Sequence, residues 1–100
     1  MEAALTNLGN GRFKLRGRLD LSSVGRVLVA GRKLMGGFDS ISIDLQQADC
    51  ANTAGLALLV EWSTWSVAHD KVLRYQNPAG RLLDLIALNG VAELLNLPAQ

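Results

Sequence analysis

The chain is poor in the residues from which catalytic and metal sites are built. It has one cysteine, Cys50, and one histidine, His69, in 100 residues. A single cysteine excludes an internal disulfide framework and fits a reducing compartment. One Cys with one His is too small a set for a zinc site, and a nucleophile–base pair would need the two to meet in the fold. No G-x-x-x-x-G-K-[ST] loop is present, and Gly9-Asn10-Gly11 is too short for a dinucleotide fingerprint. Neither metal nor cofactor nor enzymatic activity is therefore expected. Charge of one sign is lacking too. The formal net charge is +1, which gives no global field toward nucleic acid or an anionic membrane. No apolar run approaches the roughly 20 residues of a membrane span. Met1-Glu2-Ala3-Ala4-Leu5 has neither the basic nor the apolar segment of a secretory signal. What remains is a chain that is 49% apolar, enough for one modest core in a single domain over residues 1–100. The expectation is a cytoplasmic module with no nucleic-acid partner and no direct membrane insertion.

Periodicity supplies the architecture. Residues 2–8 form a weak apolar run that ends in Gly9-Asn10-Gly11, a sequence suited to a hairpin turn because Asn-Gly tolerates positive φ. Residues 12–19 alternate strictly. Arg12, Lys14, Arg16 and Arg18 point one way; Phe13, Leu15, Gly17 and Leu19 point the other, as in a half-buried strand. The basic row could touch phosphate or acidic lipid, but a solvated sheet face is the simpler reading, since no aromatic is interleaved for base stacking. Asp20, Ser22 or Ser23 can cap a helix to about residue 35, whose buried stripe is Val24, Val27, Leu28, Gly31, Leu34 and Met35. Gly36-Gly37 ends it. Residues 40–45 alternate again, with Ile41, Ile43 and Leu45 inward, and a polar loop follows. Asn52 or Thr53 then opens a helix to about His69. Residues 72–76 form the next strand. Asn77-Pro78 predicts a helix start with Asn at the N-cap and Pro in the first turn, and Gly90 its end. A short helical turn from Val91 to Leu95 completes an α/β order with a mixed sheet of about four strands, an N-terminal hairpin, and helices on one face.

The helix from Thr53 to His69 is apolar on two sides. At about 100° per residue, Leu56, Leu59, Val60, Ser63 and Val67 form one stripe, and Leu58, Trp62, Trp65 and His69 another. A surface helix is normally polar on its outer side. Either the neighbouring helices or the tail around Leu94, Leu95 and Leu97 fold over the two tryptophans, or the second stripe is a docking surface with paired tryptophans as anchors. The docking alternative is the expectation carried forward. The same helix begins with Thr53, where unpaired backbone N–H groups and the positive dipole end converge. Simple capping by Asn52 or Thr53 accounts for that start; a contact or a phosphate ester on the hydroxyl is the functional alternative. Ala54 and Gly55 leave the backbone open to a partner.

These segments together resemble a family. Gly17-Arg18-Leu19-Asp20 is similar to the G-E-L-D that closes the second strand of STAS domains, a family of anti-sigma-factor antagonists and sulfate-transporter tails. Ile43-Asp44-Leu45 followed by Asn52-Thr53-Ala54-Gly55-Leu56-Ala57-Leu58-Leu59 resembles the family's D-L and D-S-x-G-L-x-x-L-L segments. Asn77-Pro78-Ala79-Gly80-Arg81-Leu82-Leu83-Asp84-Leu85 resembles its S-P-x-V-x-R-L-L-x-L helix. Within STAS domains the chain is most similar to the small STAS subunits of phospholipid ABC transporters that maintain outer-membrane lipid asymmetry (the Mla systems). The resemblance implies a SpoIIAA-like fold. It also implies a non-catalytic subunit that binds the transporter's cytoplasmic, MlaF-like ATPase and, through it, the membrane permease, so that the protein would sit peripherally at the inner membrane. The family's functional hydroxyl falls on Thr53. The contact set so expected is Asn52, Thr53, Ala54, Gly55, Leu58, Trp62, Trp65 and His69, with Thr53 the candidate phosphate acceptor. Anti-sigma-factor antagonism, switched by phosphorylation at Thr53, is the alternative. One departure bears on it: the acidic residue before the phosphorylated serine is Asn52 here, which can cap but carries no charge.

Overall fold

A computed structural model describes residues 2–50 and 52–97. Strands β1 (Ala4–Gly9) and β2 (Arg12–Leu19) form the N-terminal hairpin, and helix α1 (Val24–Met35) follows. Then come β3 (Ser40–Cys50), α2 (Thr53–Ala68), β4 (Val72–Gln76) and α3 (Gly80–Asn89). The sheet order is β1-β2-β3-β4, with β1 antiparallel to β2 and the other pairs parallel. The hairpin turn is made by Gly9, Asn10 and Gly11, all at positive φ, as the Asn-Gly sequence requires.

One sheet face is covered and the other is open. Phe13, Leu15, Leu19, Ile41, Ile43, Leu45, Leu73 and Tyr75 point into the core, while Arg12, Arg16, Arg18, Arg74 and Gln76 are exposed. Burying each large inward side chain contributes about 1.5–3 kcal/mol. Helix α2 is the middle helix: it packs against α1 and α3 and against β3 and β4. The Tyr75 hydroxyl, fully buried, donates to the Leu59 carbonyl at 2.8 Å and ties β4 to α2.

Three local readings are corrected. β3 runs on to Cys50, past the polar stretch expected to be a loop. Its register against β2 shifts between Lys14–Asp44 and Arg16–Gln47. The extra residue exposes Gln46 and Gln47 in succession and hides the alternation. The third helix starts at Gly80 with Ala79 at the N-cap and no side-chain cap. Asn77 instead adopts φ 58°, and its amide points toward Asp44 at 3.5 Å. The segment after Gly90 forms turns that bury Leu95 and place the Asn96 amide on the Leu73 carbonyl of β4, rather than a regular helix.

Candidate functional site

Because β2 and β3 are parallel, their C-terminal ends lie at one end of the sheet, with Leu19 beside Cys50. Two short segments emerge there. The first is the turn Asp20–Ser23. The Asp20 carboxylate accepts from the Ser22 amide at 3.0 Å and the Ser22 hydroxyl at 2.6 Å, and the latter bond leads in holding the Asp20 carboxyl below its ordinary value. The buried Ser23 hydroxyl accepts from the Asp20 amide and donates back to the Arg18 carbonyl. This fixed turn holds Leu21 in solvent, 85% exposed.

The second segment is the opening of α2. Asn52 is extended, and its side chain accepts from the Ala54 amide at 2.9 Å, so Asn52 is the N-cap. Thr53 is exposed beside it. Gly55 is buried because a Cβ there would lie 2.5 Å from the Cys50 sulfur and 3.2 Å from the Leu19 Cβ. The missing side chain seats the first turn of α2 on the strand ends. Burial first, then the Asp49 charge, pushes the Cys50 thiol from 9.0 up to about 11. It is a packed core group, far from a thiolate nucleophile.

The expected tryptophan stripe needs correction. Trp62 is 0% exposed, and Leu58 is buried as well. The N–H edge of the Trp62 ring meets α1 where Gly31 has no side chain, and its indole N–H donates to the Leu28 carbonyl at 3.2 Å. Trp65 is half-buried and His69 exposed; their rings are 5.4 Å apart. The Lys71 ammonium sits 5.8 Å from the Trp65 ring centre, donating meanwhile to the Gly36 and Phe38 carbonyls. Trp65 and His69 stand toward the far end of α2, 12 and 16 residues on from Thr53, or about 18 and 24 Å along the helix. The expected contact residues therefore divide. Asn52, Thr53 and Ala54 gather at the helix opening, Gly55, Leu58 and Trp62 belong to the core, and Trp65 with His69 belongs to the opposite end.

Leu56, Leu59 and Ser63 of one expected stripe and Leu58 and Trp62 of the other belong to one broad buried arc, whereas Val67 and His69 are exposed and Val60 and Trp65 half-buried. At about 100° per residue, Leu58, Trp62, Gly55, Ser66, Leu59, Ser63 and Leu56 span roughly 160° of the helix circumference. That arc faces α1, the sheet and α3. The remaining wedge carries Thr53, Ala57, Glu61, Thr64, Val67 and Ala68, all exposed, with Val60 half-buried. Its one charge, Glu61, is paired with Arg32 at 3.8 Å. The wedge was missed because it holds small and hydroxyl residues rather than aromatics. The available signal was the scarcity of charge along the whole helix: from Thr53 to Ala68 only Glu61 is ionic.

Among the described residues no cluster of metal-ligating side chains occurs, and no helix is long and apolar enough to cross a membrane. No curated protein matches the chain. Its fold is similar to two solved structures. One is the anti-sigma factor antagonist SpoIIAA in its unphosphorylated form, with a TM-score of 0.72 at 13% identity, covering 98% of this chain and 89% of that one. The other is the Bacillus cell fate determinant SpoIIAA in the phosphorylated form, with a TM-score of 0.66 at 14% identity, covering 98% and 92%. At such identities the likeness is one of fold. A family model described as "Mlab, STAS domain" matches residues 6–96. Because that match spans nearly the whole chain, the chain belongs to the Mlab-type STAS domain family.

Proposed function

We propose that the protein is a non-catalytic accessory subunit of a phospholipid-transporting ABC transporter, and that it binds the cytoplasmic ATPase subunit through the opening of α2 and the exposed wedge behind it. The observation that carries this reading is the wedge itself. An outward helix face normally bears several charges; this one bears Thr53, Ala57, Thr64, Val67 and Ala68 around a single ion-paired carboxylate. Burying it removes little hydration from charged groups, and its small side chains let a partner's backbone come close. The wedge is one helix wide, so a stable interface of about 800 Å² per partner also needs its flanks. The exposed Leu21 turn lies at the same end as Thr53 and is one such flank. The family model's description places the chain among Mlab-type STAS domains, the group whose resemblance implies an ATPase partner.

In this reading the subunit favours the assembled ATPase by binding that conformation more tightly than the others, since a ligand shifts populations only through differential affinity. The test is co-expression of a tagged chain with the ATPase. Thr53→Glu and Thr64→Arg should each lower the co-purified ATPase at least tenfold and leave the melting temperature within a few degrees. Undiminished recovery with both variants would overturn the reading.

A second reading has one observation in its favour: the fold is shared with an anti-sigma factor antagonist that exists in unphosphorylated and phosphorylated forms. Thr53, exposed at a helix start, would then carry the phosphate, and Asn52 would leave it without the usual acidic neighbour. Intact-mass measurement of the protein from its native cells decides between the two. Substantial phosphate on Thr53 selects the switch, and its absence leaves the transporter subunit.

A further inference from the structure

We propose that the open face of the sheet is a contact surface for an anionic lipid bilayer. The charges of this nearly neutral chain are segregated. Arg12, Lys14, Arg16 and Arg18 on β2 and Arg74 on β4 lie on the uncovered face, against Asp44 and Asp49 on β3. Glu93 stands at its margin, in the shallow cleft it shares with Arg74. Five of the chain's ten basic residues but only two of its nine carboxylates are thus on this face, with Glu2 and Asp20 beside Arg18 at its end. The ion pairs of the helical side, Arg26–Glu2 and Arg32–Glu61, are formed within 3.8 Å. On the sheet, among the described residues, only Arg18 has such a partner, Asp20 at 3.7 Å. Unlike the α2 wedge, this surface attracts anions over a distance.

Its shape selects among anionic partners. The β2 row runs about 20 Å with a cation every 6.7 Å or so, and the clefts beside it, at Arg18 with Asp49 and at Arg74 with Glu93, are shallow and open. Phe13 and Tyr75 point inward, Phe38 packs edge-on against Phe13, and both tryptophans belong to α2. No ring is therefore presented for stacking on the bases of a single strand. Thr6, Ser42 and Gln47 lie between the charges, and the exposed Val72 shares the face with Arg74. Cations set among hydroxyls, amides and an aliphatic side chain on a plane suit phosphate headgroups at a membrane surface. The domain is two layers thick, with a shortest extent of 21 Å. A bilayer on the sheet side would leave the α2 wedge free on the other.

The experiment is flotation of the full chain with phosphatidylcholine vesicles, with and without phosphatidylglycerol, at low and high salt. Binding should require phosphatidylglycerol and disappear in about 0.5 M salt. Arg12→Ala with Arg16→Ala should lower the partition coefficient about 25-fold, roughly fivefold for each cation. Asp44→Asn should raise it by a similar factor of about five, a gain that misfolding cannot imitate. Equal binding to neutral vesicles, no binding at low salt, or insensitivity to the charge variants would overturn the proposal. So would capture on immobilised polyglutamate without vesicle binding, which would assign the face to an acidic polypeptide. None of these outcomes bears on the ATPase contact, which is read separately by co-purification.

Discussion

Trp62→Ala separates a fold-forming indole from a docking one. The ring is fully buried between α2 and α1, against Gly31. Its removal leaves a cavity that two rigid helices cannot close, and a Trp-to-Ala change in such a place costs about 3–5 kcal/mol. The lost bond to the Leu28 carbonyl adds about 1 kcal/mol at most, because that oxygen belongs to helix α1 and is not left alone. A domain of this size has about 5–15 kcal/mol in all. The melting temperature should therefore fall by roughly 15–30 °C. Trp65 is half-buried beside Lys71 and His69, so Trp65→Ala should cost only about 1 kcal/mol. The assay is urea unfolding followed by far-ultraviolet circular dichroism, which does not depend on the deleted indoles. A Trp62→Ala midpoint indistinguishable from the parent would refute the packing argument and restore Trp62 to the surface.

Gly31→Ala normally stabilises a helix interior by about 1 kcal/mol. Here the new methyl would strike the Trp62 ring, so the sign should reverse in the same unfolding assay; a gain in stability would show the helices can spread. Asn52→Ala removes the oxygen that accepts from the Ala54 amide and should cost about 1 kcal/mol, whereas an unchanged midpoint would mean the cap is idle. The Cys50 thiol is held at about 11 against 9.0, and burial raises the Tyr75 phenol too. Both acids ionise first in the unfolded chain. Stability should therefore be intact below about pH 9 and decline from pH 9 to 11. Unfolding midpoints that stay flat across that window would contradict the burial of both groups. Cys50→Ala should shallow the decline.

Most of the architecture is legible in periodicity, because β2, the first half of β3 and β4 each bury one face and show it as alternation. Legibility fails where geometry departs from a regular repeat. The register shift near Gln46 places two exposed residues in succession and makes the second half of β3 look like a loop. Asn77-Pro78 carries a helix-start signature, yet Asn77 turns left-handed and the helix waits until Gly80. At the candidate site, Asn52 and Thr53 could be placed from sequence because capping is local. Trp62 could not. Its burial depends on Gly31, 31 residues earlier, lacking a side chain, and a helical wheel has no knowledge of its neighbours. The wheel placed Leu56, Leu59 and Ser63 in the core correctly but also put Val67 there, which is 75% exposed, and it read Leu58 and Trp62 as outward when they are buried.

The crossing of the N-terminal segment over Gly17 has a practical consequence for handling the protein. Gly17 has φ 91°, and a Cβ there would collide with the backbone of Glu2 and Ala3. Glu2 bridges to Arg18, and the Arg26 guanidinium donates to the Ala3 carbonyl. Residue 2 is thereby stapled to the end of the sheet where Leu21 and Thr53 emerge. The last described turn is fastened by Asn96 to Leu73, near the other end. A fluorophore or affinity handle joined ahead of Glu2 would crowd the Leu21 turn and the opening of α2, whereas one joined at Leu97 would start from the other end of the sheet. Pull-down measurements made with the two placements should differ for steric reasons alone.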